Sequence, residues 1–229
     1  MSTFALIHGA WHGPWCWERL TPELERRGHR VVAVDIRFDD PAATFEDHAA
    51  TFAAALDPDD HDVVVVGHSL GSYAFPWIAD RRALRHQVYL CGVVAEPGRT
   101  FAELNREQRI LNPGYPPGLA KVDGGTRWVD FDLARSIFYP DCDEEAVQAA
   151  IPRLRVQAQS PMVQRCMFDR LPRVPATYIV CAEDRMIDPD WSRRVATELL
   201  GADLVELPGG HSPFYSRPSA LVDALHQLV

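Results

Sequence analysis

Apolar residues along the chain come in short, nearly continuous runs separated by longer amphipathic stretches. Phe4 to Ile7, Val31 to Val34, Val63 to Val66, Gln87 to Cys91, Ala176 to Cys181 and Asp203 to Leu207 each have strand length, and β-branched residues dominate several of them. Runs this apolar predict strands buried on both faces, as in a parallel sheet covered by helices. The intervening stretches supply the helices: Trp17 to Arg27, stopped by Gly28; Thr44 to Leu56, opened by the capping residue Thr44; Ser72 to Leu84; Trp191 to Leu200; and Pro218 to Leu228. The rhythm predicts an α/β, doubly wound, mostly parallel six-stranded sheet.

Between about Ala95 and Arg173 the rhythm breaks. Turn clusters such as Asn112-Pro113-Gly114 and Asp123-Gly124-Gly125 alternate with short helical pieces, Asp132 to Ile137 and Asp143 to Leu154. The expected organisation is therefore a core formed by residues 1–94 and 174–229, with residues 95–173 inserted as a mainly helical cap. At 229 residues the chain fits one domain with such an insertion.

Composition narrows the function class. The net charge of -9 and the lack of a basic block argue against a nucleic-acid partner. No stretch approaches the roughly 18 apolar residues of a membrane span. The first residues lack the basic and apolar regions of a secretory leader. Five scattered cysteines, Cys16, Cys91, Cys142, Cys166 and Cys181, form no Cys-x-x-Cys pair, so free thiols in a cytoplasmic protein are expected, without a disulfide framework or zinc site. Neither cofactor nor metal is implied. The oligomeric state, homodimer included, is left open.

Chemistry enters at Gly67-His68-Ser69-Leu70-Gly71, which the apolar run Val63 to Val66 feeds and a helical stretch leaves. Such a Gly-x-Ser-x-Gly elbow places a serine on a tight strand-to-helix turn with its hydroxyl clear of the backbone. A serine hydroxyl is a weak nucleophile at neutral pH and needs a base, which in turn needs an orienting carboxylate. In this fold class the order is Ser, then acid, then His. Of the downstream histidines, His86 opens a strand and His226 falls in the last helix. His211 follows the flexible Leu207-Pro208-Gly209-Gly210 at the carboxyl end of the last strand, where open α/β sheets place their ligands. The loop after Cys181 offers Glu183, Asp184 and Asp188; Asp184 is selected, Glu183 is its rival, and Asp188 before Pro189 reads as a helix cap. Backbone N–H groups of Leu70 and of Ala10, in the loop after the first strand, suit an oxyanion. His8 and His12 in that loop read as hydrogen-bonding spacers rather than metal ligands, and His68 as a filler of the elbow.

With these residues in place, the chain resembles the α/β-hydrolase fold family, and within it the plant-type methyl esterases and hydroxynitrile lyases with their bacterial relatives. The segment from Leu6-Ile7-His8-Gly9-Ala10-Trp11-His12-Gly13 to Trp17, the elbow, the Asp184 loop and Gly209-Gly210-His211 carry the likeness, which in the insertion shrinks to pieces such as Phe138-Tyr139-Pro140-Asp141-Cys142. The resemblance implies a Ser69, Asp184 and His211 triad with Ala10 and Leu70 as oxyanion donors. Lyases of the branch carry a threonine where this chain has Gly9 and a lysine where it has Ser212, which favours hydrolysis of a carboxylic ester, a methyl or other small-alcohol ester or a lactone, through an acyl-enzyme. The alternatives are a lyase or cyclase using the same triad, or a ligand receptor. Trp11, Trp128, Phe131, Phe138, Met162 and Phe214, with Met167, are the expected lining of an apolar pocket for a moderately bulky substrate.

Overall fold

The structure is a computed structural model that describes residues 1–229. Six parallel strands, β1 (Thr3–Ile7), β2 (Arg30–Val34), β3 (Val63–His68), β4 (His86–Leu90) and, after the insertion, β8 (Ala176–Cys181) and β9 (Asp203–Leu207), form one sheet in the order β2-β1-β3-β4-β8-β9. Every residue of β1 and β3 is buried, so both faces of the sheet centre are covered, whereas edge strands β2 and β9 keep exposed positions. The strand order reverses beside β1, and the chain crosses there to β3, which carries the elbow at its carboxyl end.

Helices α1 (Thr21–Arg26) and α2 (Phe45–Ala55) lie between the first three strands, and α3 (Phe75–Arg81) follows the elbow. Thr44 caps α2 through a reciprocal bond with Asp47, as its sequence position predicts. Two predicted helices are shorter than their periodicity suggests. The first begins as a 3-10 turn, Pro14–Trp17, before α1, and the helix after Ser69 runs as 3-10 over Ser69–Ala74 before α3 takes over beside Pro76. Proline is accepted in a first turn and not in a helix interior, which sets those breaks.

The insertion between β4 and β8 carries α4 (Phe101–Gln108), β5 (Leu119–Val122), β6 (Gly125–Trp128), α5 (Phe131–Phe138), α6 (Glu144–Ala150), β7 (Gln157–Ala158) and α7 (Ser160–Val163). Strands β5, β6 and β7 form a small antiparallel sheet, which adds to the helical content that the turn-rich sequence predicts. Its hairpin turns at Asp123-Gly124, where Gly124 takes a φ of +72°. The chain closes with α8 (Pro189–Val195), capped by Asp188, a π-helical turn (Ala196–Leu200), α9 (Pro213–Ser216) and α10 (Pro218–His226). All five cysteines are free, and no helix is long and apolar enough to cross a membrane.

Candidate active site

The site is assembled at the carboxyl ends of β1, β3, β8 and β9. Ser69, the first residue after β3, has a φ of +51°, a left-handed conformation that costs a non-glycine residue about 1–3 kcal/mol. Its flanks explain how the turn is tolerated. A Cβ on Gly67 would lie 2.6 Å from Ser72 Cα, and one on Gly71 would lie 2.7 Å from the carbonyls of Ile7 and His8. The turn is braced from behind, because the Ser72 hydroxyl reaches the carbonyls of Ser69 and Val93, each at 2.9 Å, and the Val93 N–H donates to Ser69 O at 3.1 Å.

The loop after β9 brings His211 against the loop after β8. His211 Nδ1 donates to Asp184 Oδ2 at 2.7 Å, and the other carboxylate oxygen accepts from the N–H groups of Met186 (2.7 Å) and Ile187 (3.0 Å). Both side chains are buried. Asp184 therefore accepts three hydrogen bonds, one of which orients the imidazole. Glu183 points elsewhere: its carboxylate accepts from the Gly209 N–H, and its own N–H donates to Gly209 O, which shapes the loop that presents His211. Because Nδ1 carries the proton given to Asp184, His211 Nε2 is left with a free lone pair. His211 contacts Asp184 and His68 and is not hydrogen-bonded to Ser69 Oγ; nucleophile–base bonds of this kind commonly tighten only with substrate in place.

Three further histidines are packed nearby, and burial disfavours the charged form of two of them, His12 and His68. His68 donates from Nε2 to His211 O at 2.9 Å, and its burial drives its pKa well below the ordinary value. His12 donates from Nδ1 to Ala10 O (2.8 Å) and accepts at Nε2 from the Tyr139 hydroxyl (2.7 Å); burial lowers its pKa to about 3. His8 bonds Gly9 O through Nδ1 at 2.9 Å. Each supports backbone next to Ser69 or His211.

Ser69, Leu70 and Ala10 open into a narrow apolar slot of about 20 Å³, also lined by Trp11, Val93, Phe101, Leu111, Met162 and Met186. The Ala10 N–H is bonded to no backbone acceptor, and Leu70 lies in the first turn of the 3-10 helix, where N–H groups have no intrahelical partner. Both donors are thus available beside Ser69. Trp11 and Met162 also border a second chamber of about 360 Å³, with Tyr115, Lys121, Thr126, Gln157 and Gln159 among its walls.

The remaining expected pocket residues fall elsewhere. Trp128 is buried one layer out, edge-on to Trp11 (5.8 Å) and Phe138 (5.2 Å). Phe138 packs between Trp11, His12 and His211. Phe214 lies wholly buried behind the site against His68 (4.8 Å) and Trp17 (4.9 Å). Phe131 and Met167 are 52% and 77% exposed and reach neither cavity. Of the lining residues not anticipated, Val93 and Met186 follow β4 and β8 at the ligand-bearing edge of the sheet, a signal the sequence contains. Phe101 and Leu111 arrive through the folding of the insertion, which no local pattern announces.

The one grouping of three metal-ligand types is Cys91, Asp184 and His211, whose donor atoms lie within 4.8 Å of one another. The His211–Asp184 bond already uses two of them, and burial raises the Cys91 thiol pKa well above normal, which keeps it protonated and a poor ligand.

Residues 4–224 match the model of the alpha/beta hydrolase family. Among characterised proteins the chain is 28% identical to a pyrethroid hydrolase of Sphingobium wenxiniae over 98% of its length and 86% of that protein's. It is 29% identical to the pheophorbidase of Raphanus sativus (95% and 90% covered) and 25% identical to methylesterase 3 of Arabidopsis thaliana (97% and 94%). The crystal structure of a pyrethroid hydrolase from Sphingobium faniae superposes with a TM-score of 0.85 at 25% identity, covering 99% of this chain and 96% of that one.

Proposed function

From the premise that the chain belongs to the alpha/beta hydrolase family and is a carboxylic ester hydrolase, we propose that Ser69, His211 and Asp184 cleave an apolar or aromatic ester through an acyl-enzyme. The observation that carries this reading is the 2.7 Å Asp184–His211 bond behind a serine held on a strained turn. Ser69 Oγ attacks the ester carbonyl and its proton passes to His211 Nε2. The carbonyl oxygen becomes an oxyanion between the N–H groups of Ala10 and Leu70. His211 returns the proton to the departing alkoxide, which leaves as the alcohol. Water then gives a proton to His211 and attacks the acyl carbon, and collapse of the second tetrahedral species frees the acid and restores the Ser69 hydroxyl. Asp184 stays ionised throughout and stabilises the imidazolium.

The substrate class follows from the walls. Eight of the nine residues lining the slot are hydrophobic, and its volume holds about one water, so an acyl group enters only as side chains move aside. Met162 and Met186, unbranched and flexible, are suited to yield. Residues 95–173 act as the cap that sets acyl size, and the second chamber beyond Trp11 and Met162 receives the remote part of a bulkier ester. A methyl or other small-alcohol ester releases a small alcohol, whereas a lactone opens to a single hydroxy acid.

Two features weigh against lyase chemistry. A Cβ on Gly9 would stand 2.9 Å from both Ser69 Cβ and His68 Nδ1, which leaves no room for the threonine that lyases of this branch carry there. Ser212, at the position of their lysine, is fully buried and brings no positive charge to a departing anion. The test is hydrolysis of an aryl acetate and a panel of methyl esters by the native protein and Ser69→Ala. General-base and oxyanion assistance each supply about two to four orders of magnitude, so Ser69→Ala is expected to lose at least a thousandfold in kcat. Retention of most activity, or failure of a fluorophosphonate to label Ser69, defeats the proposal.

A further inference from the structure

The oxyanion loop contains a second strained residue. Trp11 has a φ of +59°. A large aromatic residue remains in the left-handed region only when its surroundings hold it there. Within its own loop, the bonds from His12 N–H to Gly9 O (3.3 Å) and from His12 Nδ1 to Ala10 O (2.8 Å) brace the residues on either side. The polar backbone atoms of Trp11 itself are both held by the cap. Its carbonyl accepts from the Arg155 N–H at 2.6 Å, and its N–H donates to Gln157 Oε1 at 3.4 Å.

Gln157 is built for this contact. It is 2% exposed, and its amide orientation is fixed by its partners, because Nε2 donates to Phe38 O (3.1 Å) and Ala158 O (3.0 Å), leaving Oε1 facing the Trp11 N–H. Arg155 adds a side-chain anchor. Its guanidinium bonds both oxygens of Asp35 (2.6 and 3.3 Å) and lies against Gly13, where an added Cβ would come within 2.7 Å of it. Asp35 in turn lies 3.5 Å from His8 Nε2, and its carboxyl is held well below the usual range by His8 and Arg155.

The Trp11 N–H belongs to the rigid peptide plane that also contains the Ala10 carbonyl. The Ala10 N–H, the proposed oxyanion donor, lies in the preceding plane, which is held at Gly9 O by the His12 N–H (3.3 Å) and His8 Nδ1 (2.9 Å); the two planes are hinged at Ala10 Cα, so Gln157 and Arg155 hold the second side of that hinge. We infer that Gln157, with Arg155, is a positioning residue for the oxyanion hole, so that the hole is set by cap and core jointly and is complete only while the cap is docked. The inference rests on the proposed serine-hydrolase reaction.

The experiment compares Gln157→Met, which keeps the shape and removes both hydrogen-bonding groups, with Gln157→Glu, which keeps the acceptor for Trp11 N–H but places a carboxyl in a buried site. Thermal midpoints, kcat and KM on an aryl acetate, and the rate of Ser69 labelling by a fluorophosphonate are measured, with kcat normalised to labelled protein. Positioning predicts that activity follows the acceptor. Gln157→Met loses about 10- to 100-fold in kcat and in labelling rate, with KM within threefold, since a displaced donor costs up to the value of a deleted one. Gln157→Glu stays within threefold of native kcat even where it melts lower than Gln157→Met. The inference is overturned if Gln157→Met keeps native kcat, or if both variants lose activity in step with their thermal midpoints. Native protein that fails to label at all refutes the triad assignment instead, a separate result.

Discussion

Replacing Asp184 by Asn isolates the orienting role of the carboxylate, because the structure specifies what the amide does. Oδ1 of Asp184 accepts from two backbone N–H groups, of Met186 and Ile187, and only an oxygen can fill that position. The Asn Oδ1 is therefore fixed there, and its NH2 faces His211 Nδ1, 2.7 Å away in the native protein. Two donors cannot face each other, so the imidazole adopts the other tautomer, with its proton on Nε2 and no lone pair toward Ser69. The base is then present, correctly placed and unable to accept a proton. A tautomer block of this kind costs about 10⁴ in kcat, or about 5 kcal/mol of transition-state stabilisation at 1.36 kcal/mol per decade. The fold should be little disturbed, since shape and both backbone bonds persist. The assay is aryl acetate hydrolysis between pH 6 and 9 alongside a thermal melt. Glu183→Gln is the comparison, because Glu183 bonds the Gly209 backbone instead of His211. An Asp184→Asn enzyme within tenfold of native, or a Glu183→Gln enzyme equally crippled, refutes the assignment of the acid.

Three other outcomes follow from the same contacts. His12 and His48 are buried, and burial lowers their pKa values to about 3 and about 4 from an unfolded value of 6.5; the unfolded chain therefore binds more protons below pH 6.5, and stability should be level above that pH and decline beneath it, by about 2 kcal/mol per histidine at pH 5, as read from denaturant midpoints. A stability maximum near pH 5 would contradict this. Tyr139→Phe removes the donor to His12 Nε2 and leaves a buried nitrogen unpaired, an expected loss of about 1–3 kcal/mol and, at about 2–4 °C per kcal/mol, several degrees in Tm. Met162→Ala opens the wall shared by the slot and the outer chamber and should raise kcat/KM for a bulky acyl ester relative to acetate by about tenfold, a ratio that stays constant if the two cavities serve different purposes.

What the sequence discloses and what it withholds divide along a physical line. Continuous apolar runs make buried strands wherever they occur, so all six core strands are legible to within a residue or two, as is Thr44 as a cap. The placement of the candidate residues Ser69, Asp184 and His211 is legible because each follows a strand of the sheet at its carboxyl edge, and each belongs to a short loop with its own glycine or acidic markers. The slot is not. Trp128 and Phe138 read as lining because they are large and apolar, but size says only that a side chain is buried, and both are spent on packing around Trp11 and His12. Gln157 lacks any local mark: its partners, Trp11 and Phe38, lie more than a hundred positions away, and only the antiparallel pairing of β6 with β7 carries it to them.

Backbone strain is concentrated around the candidate site. Four non-glycine residues have positive φ; Arg109 merely terminates α4, while Trp11, Ser69 and Cys91 all stand beyond the carboxyl ends of β1, β3 and β4, three neighbours in the sheet. Cys91 gives its N–H to Ile179 O of β8, and its thiol stands beside the Asp184–His211 pair. Each strained residue costs about 1–3 kcal/mol, and a parallel sheet whose central strands β1 and β3 are wholly buried, with braces such as Ser72 and Gln157, is rigid enough to bear it. In the proposed reaction this strain presents the Ser69 hydroxyl in the slot that Ala10 and Leu70 also border, before substrate arrives, so that little reorganisation is left for the transition state to supply.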